Sequence, residues 1–88
     1  MSNLSGDKRQ LIHRVSGIEG HVGSLKKMIE SDREALEILM QLSAIRSALE
    51  RLSFIVFEEF VELRLDTIGE GERQEAVAAI RGAMQTLL

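Results

Sequence analysis

The chain has 88 residues, a net charge of −3, no Cys, no Pro and three aromatic residues, all Phe. Disulfides and thiolate metal sites are thereby excluded, and no apolar run approaches the roughly 18 residues of a membrane span. A single core in so short a chain is marginal without staples or partners, so one small domain that assembles with copies of itself is the natural reading.

Ala, Leu, Ile, Glu and Arg dominate, the composition of a helical bundle. The opening MSNLSGDKRQ lacks the apolar core of a signal peptide, so a cytoplasmic location away from membranes is expected. Charge is uneven: residues 1–33 carry six basic side chains against four acidic ones, and residues 34–88 carry five against ten. A basic N-terminal section on an acidic body builds a local basic patch once copies come together.

Three helices are expected in one domain over residues 1–88, at about 6–30, 33–65 and 72–87. Ser5 or Asp7 is placed to cap the first. Its apolar stripe, Leu11, Val15, Ile18, Val22, Leu25 and Ile29, repeats at alternating spacings of four and three. Gly17, Gly20 and Gly23 sit largely off that stripe, where they permit close approach of another backbone; with no strand before them they do not form a phosphate loop.

Ser31-Asp32 breaks the first helix, and Asp32 is expected to cap the second. No Gly or Pro follows until Gly69, so the second helix runs roughly 50 Å at 1.5 Å per residue. Ala35, Leu39, Leu42, Arg46, Leu49, Ser53, Val56, Phe60 and Leu63 keep a 4-3 rhythm along it. Ile38, Ile45, Leu52, Phe54, Ile55 and Phe57 add apolar surface on other sides, which points to neighbours on several faces. After a Gly-containing turn at 66–71, the third helix carries the stripe Val77, Ile80, Met84 and Leu87.

No nucleophile–base arrangement is present, and no enzyme is expected. His13 and His21 lie about 12 Å apart along one helix, too far to share a metal. Glu58, Glu59 and Glu62 read as a solvated face. No cofactor is called for.

The run IEGHVGSLKKMIESDREALEILMQLSAIRSALERL resembles the CsoR/RcnR/FrmR repressors, the copper-, nickel/cobalt- and formaldehyde-sensing regulators of bacteria. Arg14, Ile18, Glu19, Gly20, Val22, Met28, Ile29, Glu30 and Asp32 match the family pattern, and so do Leu39, Gln41, Ala44, Arg46, Ala48 and Leu49. The resemblance implies an all-α, three-helix protomer whose long central helices pair antiparallel into dimers, with a two-fold axis near residues 47–50 and small residues Ala44 and Ala48 beside it. Dimers would pair into a disc-shaped tetramer that binds operator DNA. On that analogy Arg14 and Arg46 contact DNA, with Lys8 and Arg9 as neighbours; Arg46 also falls on the apolar stripe and could instead pair with a partner's acid.

The family's sensor ligands align with Ala35, Phe60 and Arg64, and a fourth position of some nickel sensors aligns with His21. The first three cannot ligate a soft or borderline metal or offer a thiol to formaldehyde. The resemblance therefore implies a repressor with a degenerate metal site in which Ala35 and a partner's Phe60 pack as carbon, and an effector that is unknown. Ser16, Gly17 and Gly23 replace frequent arginines of the pattern, thinning the DNA face. An oligomeric helical scaffold that has lost DNA binding is the alternative, and a sensor using His13 or His21 with Glu side chains is a third reading.

Overall fold

The computed structural model describes residues 8–66, 69 and 72–88, and among them the regular structure is helical: α1 (Lys8–Glu30), α2 (Ala35–Asp66) and α3 (Arg73–Leu87). The expected caps Ser5 and Asp7, and most of the α2–α3 connection, lie outside the described residues. The chain groups into two compact units whose boundary falls inside α2, between Leu52 and Ser53.

In the unit that ends at Leu52, α1 is closed by a left-handed residue. Asp32 has φ 58. Its N–H donates to the Ile29 carbonyl at 3.2 Å, and the Arg33 N–H donates to the Met28 carbonyl at 3.0 Å. These are the two reversed bonds of a Schellman motif, with Asp32 at the position Gly most often fills. The Ser31 hydroxyl adds a bond to the Lys27 carbonyl at 2.9 Å. Asp32 is thus the C-terminal stop of α1 and not the cap of α2. The Glu34 carbonyl accepts the first helical bond of α2, from the Ile38 N–H at 3.2 Å. One turn of α2 is then braced by Arg33 Nε donating to Glu37 Oε2 at 2.9 Å. Each partner holds the other's charge: the hydrogen bond and the field of Arg33 lower the Glu37 carboxyl, and those of Glu37 raise the Arg33 guanidinium.

The four-residue turn folds α2 back on α1. His21 meets Gln41, and Arg14, one helical stretch earlier, shares a cleft with Ser47 and Arg51. Numbers fall on α1 as they rise on α2, which defines an antiparallel helical hairpin. The inward face of α1 is Leu11, Ile18, His21, Leu25 and Met28, and that of α2 is Ile38, Gln41, Ile45, Ala48 and Leu52. Both sets recur at helical spacing. Leu11 and Ile45 are the buried residues of this unit among those described, each 7% exposed.

That inward face corrects the expected stripes. Of the predicted α1 stripe, Leu11, Ile18 and Leu25 face in, whereas Val15, Val22 and Ile29 stay exposed. On α2 the displacement is larger. The stripe of Leu39, Leu42, Arg46 and Leu49 lies outside, with Leu39 60% exposed, and the face packed on α1 is the neighbouring one. Ala48 belongs to the inward face. Gly17, Gly20 and Gly23 meet no atom within 4 Å at the place of a Cβ, so they admit no close backbone inside the protomer.

In the other unit, the C-terminal half of α2 is half-buried at Ile55, Val56, Phe57, Phe60 and Val61, and α3 turns Ala76, Ala79, Ile80 and Ala83 inward. Val77, Met84 and Leu87 of the predicted α3 stripe are exposed, Ile80 alone facing in. Small alanines let α3 lie close, and the larger residues point out. Glu59 also departs from the solvated-face reading: it is half-buried, and its Oε2 is enclosed without a hydrogen-bond partner. No side chain among the described residues is wholly buried.

Candidate nucleic-acid interface

The hairpin leaves a cleft of about 460 Å³ between α1 and the middle of α2. Arg14 and His21 stand two turns apart on α1, about 10.5 Å along its axis, and so on nearly the same face. His13 flanks Arg14, and Ser47 and Arg51 reach in from α2. The floor is Gly17, Ile18 and Ala48. Every polar side chain lining the cleft can donate a hydrogen bond, and none is acidic.

The two guanidiniums are exposed, and neither is engaged in an ion pair. Two forked cations carried by two packed helices, with no carboxylate between them, suit an anion with several oxygens. His21 is positioned more firmly. Its Nε2 donates to Gln41 Oε1 at 2.5 Å, and both residues are partly buried. That bond fixes the ring and the hydrogen on Nε2.

The structure separates the residues the sequence grouped for DNA contact. Arg14 lines the cleft; Arg46 does not, lying on the outer stripe of α2 between Leu42 and Leu49. Lys8 and Arg9 are exposed in the first turn of α1, outside the cleft lining. Arg51, which the sequence reading passed over, takes the place beside Arg14. Its place follows from the register: with His21 against Gln41 in an antiparallel hairpin, the residue near Arg14 is some seven to ten positions beyond Gln41, which reaches Ala48 and Arg51, and no sequence motif records that register.

The positions that the resemblance aligns with sensor ligands are placed as follows. Ala35 is the exposed first residue of α2. Phe60 is half-buried, and the Arg64 guanidinium lies 5.3 Å from its ring centre, one turn on, in cation–π contact. His21 is six residues, about 9 Å, from the level of Ala35 when measured along α2 from its partner Gln41.

An all-α hairpin with an extended second helix, uncovered apolar stripes and a cationic cleft defines a helical binding protein. A profile of the metal-sensitive transcriptional repressors matches residues 7–88, and the chain belongs to that family. It is a transcriptional repressor of the CsoR/RcnR type. It is similar to the copper-sensing transcriptional repressor CsoR of Bacillus subtilis, 30% identical over 77 residues, covering 86% of this chain and 76% of that protein. The transcriptional repressor RcnR of Salmonella arizonae is 35% identical over 75 residues, 85% of this chain and 83% of that one. Among solved structures, the nickel-responsive transcriptional regulator InrS superposes with a TM-score of 0.86 at 28% identity, covering 100% of this chain and 98% of that one.

A copper or nickel centre of the kind those names imply is not supported by the residues here. The chain has no Cys. Among the described residues no three His, Asp or Glu side chains are grouped to hold an ion. His21 Nε2 is already committed to Gln41. Nor is any helix among the described residues long and apolar enough to cross a membrane.

Proposed function

We propose that this repressor binds operator DNA in the cytoplasm through the α1–α2 cleft, with Arg14 and Arg51 as its principal phosphate contacts and Lys8 and Arg9 as flanking cations. The observation that carries the reading is the convergence of two unpaired guanidiniums in a cleft without acidic lining. Phosphate contacts of this kind position a protein on the duplex and supply most of its sequence-independent affinity. Net charge is −3, so the attraction must come from such a local patch and not from the molecule as a whole.

The binding unit is a homodimer that pairs into a homotetramer. Leu36, Leu39, Met40, Leu42 and Leu49 on α2 and Ile12, Val15, Val22 and Ile29 on α1 are all exposed in the protomer. Contiguous apolar surface of that extent marks an interface. Arg46, set within the α2 stripe, belongs to that interface and pairs with a partner's acid. In the assembly Ala35 and a partner's Phe60, stiffened by Arg64, pack where other members of the family place sensor ligands.

Fluorescence anisotropy with the DNA upstream of the protein's own gene tests the reading. Arg14→Gln and Arg51→Gln are each expected to weaken binding roughly tenfold, in line with the loss of one charged hydrogen-bonding contact. Absence of binding at low salt would remove the proposal and favour an oligomeric scaffold.

A further inference from the structure

The cleft is larger than a backbone phosphate touched from outside needs. Its volume of about 460 Å³ falls in the range of small-molecule sites, about 300–1,000 Å³. The space is opened by its floor: Gly17 and Ala48 withhold side-chain bulk, and a Cβ built on Gly17 meets nothing within 4 Å. Around that floor stand four side chains free to donate, Arg14, Arg51, His13 and Ser47, and no acceptor of the carboxylate kind. His21 is held in place from behind by Gln41. A site with several donors on two packed helices and an apolar floor recognises a compact, multiply charged oxyanion with a small organic remainder.

We propose that the α1–α2 cleft binds a free phosphoryl compound, a phosphate ester or diphosphate, as a whole ligand. Such a ligand occupies the same donors as a DNA phosphate and so competes with DNA. The competition rests on the reading of Arg14 and Arg51 as DNA contacts; the binding of the free anion does not. The proposal gives a chemical class of effector to a repressor whose residues do not form a metal centre.

Titration calorimetry of the full-length protein with inorganic diphosphate, against sodium chloride at matched ionic strength, tests it. Saturable binding is expected for the wild type, weakened roughly tenfold or more in Arg14→Gln and in Arg51→Gln. It should be unchanged in Lys26→Gln, which alters an exposed cation of α1 outside the cleft. Both arginines are exposed, so the variants keep the fold, and circular dichroism verifies it. A second arm adds diphosphate to the protein–DNA complex. Displacement beyond that produced by matched chloride supports the proposal. Diphosphate binding without any DNA binding supports the site and overturns the DNA reading instead. Heats equal to those of chloride, or an affinity indifferent to both arginines, overturn the proposal whether or not DNA binds.

Discussion

Asp32 shows how one residue type serves two opposite ends of a helix. Its short carboxylate caps N-termini well, and the same short polar side chain tolerates the left-handed conformation that ends helices. The sequence favours the first role; the backbone at φ 58 takes the second. Asp32→Gly should therefore stabilise the hairpin by about 0.5–1 kcal/mol, since Gly occupies that region without a Cβ penalty. The urea midpoint should rise, and a fall would mean that the carboxylate contributes more than the turn geometry. Arg33–Glu37 gives a second expectation. Glu37 has its carboxyl lowered, so what the pair contributes is present above the ordinary carboxylate range and is lost as pH falls through the depressed value. Both side chains are about half exposed, 53% and 47%, so the effect is small and salt-screened. Amide protection factors in the first turn of α2, with the intrinsic pH dependence of exchange divided out, should fall on acidification in wild type and not in Glu37→Gln.

At the scale of the helices, element positions were legible because the 3.6-residue period is written into every apolar run. The starts of α2 and α3 shifted by two residues and one, within ordinary end fraying. Which face turns inward was not legible, because α1 and α2 each carry two apolar stripes. Only one stripe per helix can face the hairpin partner, and nothing in a period says which. Leu39 and Ile45 look alike in the sequence, yet one is 60% and the other 7% exposed. Their substitutions should behave differently. Ile45→Ala should cost about 2–4 kcal/mol through lost burial and a cavity, seen as a lower denaturant midpoint at any concentration. Leu39→Glu should instead break the assembly, seen as a smaller mass in sedimentation at unchanged helicity. Equal effects of the two on mass would contradict the assignment of faces. The half-buried Phe60 with Arg64 over its ring belongs to this scale as well. Phe60→Ala should lower stability by about 1.5–3 kcal/mol, and Arg64→Ala by less than one.

For the molecule as a whole, the sparse core and the breadth of exposed apolar surface say the same thing. With Leu11, Ile45 and Ala76 as the buried residues among those described, the protomer alone has little to hold it. Melting temperature should accordingly rise with protein concentration, as for any chain whose folded state is coupled to assembly. The family was legible because its match is spread over many positions, none decisive alone. Arg51 was not, because its importance comes from the register of α2 against α1, which the His21–Gln41 bond sets and no local motif records. The central claim is that Arg14 and Arg51 together make the cleft a phosphate-binding face. It is tested most directly by measuring the affinity for upstream DNA as a function of salt, for the wild type and for the double variant Arg14→Gln/Arg51→Gln. Each lost phosphate contact reduces the slope of log affinity against log salt by about one, so the double variant should be shallower by about two per protomer engaged. A double variant that binds more weakly with the wild-type slope, or equally well, would contradict it.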